Sequence, residues 1–344
     1  MPTGPFMLLP LTEVAPYFSP RRLRLLILPT EKCNFRCTYC YEDFTVGQMN
    51  SQTADAVIAL VQNRAADLDS LDVDWFGGEP LLAQRVVYLV GSAIADICHR
   101  SAIDYRGSIT TNGFLLTPEV ARELLLRGVS HFQVSLDGPE EVHNLRRPTA
   151  LGRPTFRIIT DNLRELLKID REFQLQIRVH FDRTTYPRVR DFVASDVSRW
   201  AEDSRVDVLF VQVENLSADV EAHVPQFTAQ ERKNAIAELR TFVSRGITKG
   251  DSPYVCYAAQ PNAFVIRADG RIGKCTVALN DERNTIGRIT PDGQLLVDGE
   301  RVVPWMEGWA TADGTQLSCP YSHIKKVPYN PTVARANLIP LMSR

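Results

Sequence analysis

Before residue 214, six short apolar, β-branched runs alternate with five stretches of helical periodicity. This alternation dictates βαβ units around a parallel sheet. Strands are predicted at Leu23–Leu28, Val73–Phe76, Gly107–Thr111, His131–Leu136, Leu175–Phe181 and Val206–Val213, with helices near 52–67, 84–100, 117–127, 155–168 and 187–200. Helix starts carry local signals: Ser51 or Thr53, then Thr117-Pro118-Glu119, then Arg153-Pro154-Thr155. Gly128 marks the end of the third helix. After Glu214 the alternation gives way to a polar connection, a helix near 228–245 and a Gly/Pro-rich region holding the last three cysteines. Within that region AFVIRADGRIGKC reads as a β-hairpin around an Asp-Gly turn. The chain therefore divides into an extension (1–21), a β/α unit (22–214) and a smaller C-terminal unit (215–344).

A chain of 344 residues with 44% apolar side chains buries a full core. Its formal net charge of -2 gives no field favouring nucleic acid or an anionic membrane surface, so neither partner is implied. The N-terminal segment MPTGPFMLLPLTEV has no basic start before an apolar stretch, and Pro2, Pro5 and Pro10 interrupt it, so it does not read as a secretory signal. No other run approaches the roughly 20 apolar residues of a membrane span. These features predict a cytoplasmic protein, where thiols stay reduced and clustered cysteines hold metal more often than disulfides.

Cys33, Cys37 and Cys40 stand in a C-x3-C-x2-C spacing just past the first predicted strand. That is the edge of a parallel sheet where α/β folds place their sites. Three thiolates in one short loop suit an iron–sulfur cluster, a zinc ion short of a fourth ligand, or no metal at all.

CNFRCTYCYE resembles the cluster motif of the radical S-adenosylmethionine superfamily, and Gly77-Gly78-Glu79-Pro80, one β/α unit later, is similar to that family's GGEP motif. The resemblance implies a partial (β/α)6 TIM-like barrel with a small C-terminal α+β cluster-binding domain over its mouth. It also implies a 4Fe-4S cluster on Cys33, Cys37 and Cys40, whose open iron binds S-adenosylmethionine. Reduction of that cosubstrate yields a 5′-deoxyadenosyl radical that takes a substrate hydrogen, with an electron donor such as flavodoxin or ferredoxin as partner. By the same resemblance Tyr39 lies near the adenine, and Gly77, Gly78, Glu79 and Pro80 receive the ligand's ammonium group. Ser135 and Asp137 in VSLDG contact the ribose or carboxylate or cap the next element, and Arg178 in QIRVHFD pairs with the carboxylate or with a surface acid. His143, Arg146 and Arg147 in HNLRRP read as a loop at the barrel mouth, near substrate or simply solvated.

Cys256, Gly270 and Cys275 form a C-x13-G-x4-C pattern that resembles the opening of SPASM and twitch domains, which hold auxiliary iron–sulfur clusters. The chain departs from those families in offering only Cys319 afterwards, with Ser322 where a closing cysteine would stand. The implied site has three thiolates and one auxiliary cluster, or has lost its cluster. Cys98, in an apolar helical stretch, reads as a buried structural thiol. The combined motifs resemble maturases of ribosomally made peptides, which crosslink or oxidise a precursor peptide. A dehydrogenase or epimerase acting on a sugar or aminoglycoside is the second reading, and a non-catalytic iron–sulfur redox sensor the third.

Overall fold

The computed structural model describes residues 11–216, 224–243, 254–327 and 338–341. The start of the predicted extension, part of the connection after Glu214 and the end of the helix expected at 228–245 lie outside them. All six predicted strands form: β1 (Arg22–Ile27), β2 (Ser70–Trp75), β3 (Asp104–Thr111), β4 (Val129–Leu136), β5 (Gln174–Phe181) and β6 (Val206–Gln212). They pair in parallel, each with its successor. The helices around them are α1 (Leu11–Phe18), α2 (Ser51–Arg64), α3 (Gln84–Arg100), α4 (Pro118–Leu125), α5 (Glu140–Arg146), α6 (Phe156–Leu167), α7 (Tyr186–Phe192), α8 (Ser198–Trp200) and α9 (Ala229–Arg240).

Strands β2, β3 and β4 begin two or three residues earlier than expected. Their added residues alternate apolar and polar, because a half-open barrel has one apolar face and one polar face. Leu71, Val73 and Trp75 are fully buried in the core. Asp74, pointing the other way, meets Arg24 of β1 at 2.6 Å and also bonds Ser108 of β3. Along β5 the same period buries Leu175, Ile177, Val179 and Phe181 completely and puts Arg178 and His180 on the polar face.

Local capping differs in detail from the sequence signals. Asn50, not Ser51 or Thr53, caps α2, its side chain accepting from the Thr53 N–H at 2.8 Å. Thr117 caps α4 as expected, and Gly128 takes φ +74° after it. Thr155 precedes α6 without capping it, since its hydroxyl donates instead to the Arg147 carbonyl. The stretch Pro80–Arg100 is long and apolar enough to cross a bilayer by composition. Val87, Val90 and Ile94 within it are fully buried in the core, as a sheet-packed helix requires.

The C-terminal hairpin forms as β7 (Ala263–Ile266) and β8 (Arg271–Gly273), with Gly270 at φ +82° in its turn. Strand β7 also pairs in parallel with β1, from Arg24 opposite Ala263 to Ile27 opposite Ile266. Then β9 (Gly287–Ile289), β10 (Leu295–Asp298) and β11 (Leu338–Leu341) continue antiparallel, so one sheet of eleven strands among the described residues runs from barrel to C-terminal unit. The region read as Gly/Pro-rich holds three further helices: α10 (Gly299–Thr311), α11 (Gly314–Ser318) and α12 (Pro320–Ile324). Asp298 and Asp313 cap the first two.

Candidate active site

The cysteine loop leaves β1 and is gripped from two sides. On one side it runs antiparallel to the segment after α5: Thr38 N donates to Arg146 O (2.9 Å), Arg36 N to Pro148 O (2.9 Å) and Ala150 N to Asn34 O (2.7 Å). On the other, Glu79 N donates to Lys32 O at 2.9 Å. Backbone bonds thus fix the loop before any side chain contributes.

Gly77 and Gly78 serve this close approach. A Cβ on Gly77 would stand 2.1 Å from Thr30 O and one on Gly78 2.5 Å from Lys32 O, so no side chain fits at either position. The Glu79 carboxylate is fully buried and turns towards β3, accepting from Leu81 N (2.9 Å), Thr111 Oγ1 (2.8 Å) and Asn112 N (2.7 Å). Asn112 in turn donates to Asn34 Oδ1 at 2.8 Å. The motif read as a ligand-binding turn therefore also clamps the loop against β3.

Beneath the loop lies a buried polar network. Tyr39 OH donates to Asp137 Oδ1 (2.9 Å) and accepts from the Arg147 guanidinium (2.8 Å). Arg147 itself stands 3.7 Å from Asp137, and His180 Nδ1 3.4 Å. Burial alone would raise the Asp137 carboxyl, but His180 and the Arg147 charge outweigh it and hold the group well below the usual range. Burial holds His143 down to about 3 and His180 to about 4, so both rings are neutral at pH 7. His143, Arg146 and Arg147 are thus not a solvated loop: His143 accepts from Asp137 N, Arg146 pairs with Asp182, and Arg147 faces Asp137. Sequence reading missed this role because the basic run HNLRRP reads as exposed, whereas the fold buries His143 and Arg147. Ser135 is buried on β4, opposite Arg178 in the register.

The three C-terminal cysteines come from three elements: Cys256 before β7, Cys275 after β8 and Cys319 between α11 and α12. Burial pushes the Cys275 thiol up to about 12, against hydrogen bonds from the Val277 and Ala278 backbone, and the nearby Cys256 and Cys319 raise it further. The trio shares one neighbourhood. Cys275 is buried, Cys256 half-buried and Cys319 exposed. No disulfide joins any of the seven cysteines, and Cys98 is buried in the core as expected.

Residues 27–181 match the profile of the Radical SAM superfamily. This segment of the chain is a Radical SAM domain. It is 26% identical over 246 residues to the GTP 3',8-cyclase of Sulfurovum sp. (strain NBC37-1), covering 70% of this chain and 69% of that one. The chain spans about half the length of two further GTP 3',8-cyclases, from Nostoc sp. (strain PCC 7120) and Trichormus variabilis, at 53% each. Among solved structures its fold is similar to anSMEcpe with bound AdoMet and Kp18Cys peptide, at TM-score 0.63 and 18% identity over 83% of this chain and 84% of that one. Streptococcus suis SuiB is also similar, at TM-score 0.60 and 14% identity over 92% of this chain and 77% of that one.

A radical SAM enzyme uses a 4Fe-4S cluster and S-adenosylmethionine, and the first loop suits them. Burial pushes the Cys33 and Cys40 thiols up to about 12 and raises Cys37 as well, so without a cation all three stay protonated. Iron held there would displace those protons, and backbone N–H groups already face the sulfurs, with Phe35 N 3.4 Å from Cys33 Sγ. Among the described residues no three His, Cys, Asp or Glu side chains converge on a point for a single metal ion. Buried atoms without partners collect at the same edge: Asp137 Oδ2, Arg178 Nε, Arg147 Nε and Glu42 Oε2.

Proposed function

We propose that this enzyme matures a ribosomally made peptide, abstracting one hydrogen and leaving a crosslink or an oxidised side chain. Cys256, Cys275 and Cys319 then hold one auxiliary iron–sulfur cluster, and a flavodoxin or ferredoxin supplies electrons. Bound at the first cluster, S-adenosylmethionine supplies the 5′-deoxyadenosyl radical on one-electron reduction. The protein's own residues orient it. With the Glu79 carboxylate engaged by β3, the carbonyls of the Gly77–Pro80 turn receive the ammonium group. Asp137 Oδ2 meets a ribose hydroxyl, steadied by Tyr39 and Arg147, with Ser135 beside it. Arg178 pairs with the carboxylate, for which its planar fork is suited.

One observation favours a peptide over a nucleoside triphosphate, the substrate class named for the curated relatives. Four arginines of this edge and the polar face have acidic partners, Arg24 with Asp74, Arg106 with Asp104, Arg146 with Asp182 and Arg147 with Asp137, and Arg178 is the one assigned above to the cosubstrate's carboxylate. A triphosphate needs several uncompensated cations. The fold likeness to a peptide-bound enzyme spans 83% of the chain and so takes in the C-terminal unit. The non-catalytic sensor reading falls, because the relatives are enzymes.

The test is anaerobic reconstitution and reduction of the full chain, followed by deuterium tracing into 5′-deoxyadenosine. Deuterated short peptides encoded beside its gene, deuterated GTP and a deuterated aminoglycoside are offered separately. Transfer from a peptide is the expected result, and transfer from GTP or the aminoglycoside alone overturns the reading.

A further inference from the structure

One guanidinium joins the two cysteine regions. Arg267 follows β7 directly, on the strand that pairs with β1. Its Nε donates to Glu31 Oε1 at 2.9 Å and one terminal nitrogen to Glu31 Oε2 at 2.5 Å. Its other terminal nitrogen donates to Leu279 O at 2.7 Å. Glu31 lies two residues before Cys33, and Leu279 four residues after Cys275. Both charged groups are 3% exposed, and 236 residues of chain separate them. The same stretch of loop is crowded from its far side, where a Cβ at Gly78 would stand 2.9 Å from Glu31 O. Glu31 N is held by Gly47 O at 3.2 Å.

A buried ion pair contributes little net stability against well-packed apolar groups of similar volume, yet it fixes orientation strictly. Three donors in a rigid planar fork, shared between two acceptor groups, fix the separation of the segments that carry them. The paired residues of β1 and β7 end at Ile27 and Ile266, with one more backbone bond from Leu28 N to Ile266 O and an apolar contact of Leu28 with Leu279, and beyond these the Arg267 fork adds a directional polar link between the two cysteine loops.

We infer that Arg267 is a positioning residue that sets the geometry of the first cluster's loop from the C-terminal unit, through Glu31 on one side and Leu279 on the other. The inference uses the fold and the first cluster, and it stands whichever substrate is correct. Disturbing the C-terminal loop is then transmitted to the first cluster through this pair.

The test uses the reconstituted full chain in four forms: wild type, Arg267→Lys, Glu31→Gln, and the double variant Glu31→Leu/Arg267→Met. The double variant leaves no buried charge uncompensated and so keeps the fold. Iron content, the melting temperature, the electron paramagnetic resonance signal of the reduced first cluster with and without S-adenosylmethionine, and its midpoint potential are recorded for each. The double variant is expected to keep its melting temperature and the first cluster's iron. Its cluster signal and potential shift, and 5′-deoxyadenosine formation falls roughly tenfold to a hundredfold, the range seen when an outer partner of a metal ligand is lost. Arg267→Lys, which keeps the charge but cannot reach both acceptors, shows the same spectroscopic change. An unchanged signal and potential in the double variant overturn the inference, even if the single variants are unstable. Full rescue by lysine overturns it too, since charge alone would then suffice.

Discussion

The two cysteine groups of this chain are built by opposite means. Cys33, Cys37 and Cys40 share one loop whose backbone is bonded on both flanks, to Arg146–Ala150 and to Glu79 just ahead of the short 3₁₀ helix Pro80–Ala83. Cys256, Cys275 and Cys319 come from three separated elements, and the last is exposed. A single loop lets local chain geometry set the ligand positions, whereas a distributed site depends on the packing of the whole unit. The first group is therefore preorganised by local bonds, and the second only as well as β7, β8, α11 and α12 are held together.

Removing a ligand from each group breaks the comparison most directly. Cys37→Ala is expected to reduce 5′-deoxyadenosine formation to background, because the remaining two thiolates cannot hold the open cluster. Iron counting and a chromatographic assay check this, and retained cleavage would refute the assigned ligand set. Cys319→Ser is the milder counterpart: the iron of the proposed C-terminal cluster is expected to be lost, while the first site keeps its iron and still cleaves S-adenosylmethionine. Equal iron in variant and wild type would show that Cys319 holds nothing.

The first loop and the barrel behind it were legible in the sequence for physical reasons. Leu175, Ile177, Val179 and Phe181 announce a strand by their period, and Cys33, Cys37 and Cys40 need only local spacing to be read as ligands. Side-chain partners across the fold were not legible. Tyr39 with Asp137, Arg147 with Tyr39, and Arg267 with Glu31 are pairings of 98, 108 and 236 residues' separation, which no local pattern encodes. The C-terminal helices escaped notice because Gly299, Pro304 and Gly314 mimic a loop, although Asp298 and Asp313 supply their caps. Asp72, Asp104 and Arg106 hid the early ends of their strands because a barrel's polar face accepts charge.

Crowding sharpens the contrast between the groups at a smaller scale. Gly77 has φ +119° and no room for a Cβ beside Thr30 O, so Gly77→Ala forces the turn and the cysteine loop apart. The expected cost is on the order of 3 kcal/mol from backbone strain and overpacking together. It is read as a lowered urea midpoint accompanied by loss of iron from the first site, with the C-terminal irons retained. A variant of unchanged midpoint would show that the loop yields freely.

Acid gives the finest separation of the two regions. His143 is fully buried under the first loop, and burial, reinforced by Arg147, lowers it from 6.5 to about 3. Below pH 6.5 the unfolded chain takes up a proton that the folded chain refuses. Stability therefore falls as pH drops from 6.5 towards 3, by about 2 kcal/mol between pH 6.5 and 5 for this one ring. His143→Asn keeps an acceptor for the Asp137 N–H but cannot titrate, so its unfolding free energy should decline less steeply over that interval. Urea titrations of both proteins at pH 7, 6 and 5 measure the slopes, and parallel slopes would mean that the ring is protonated in the fold and that the network under the cysteine loop is differently charged.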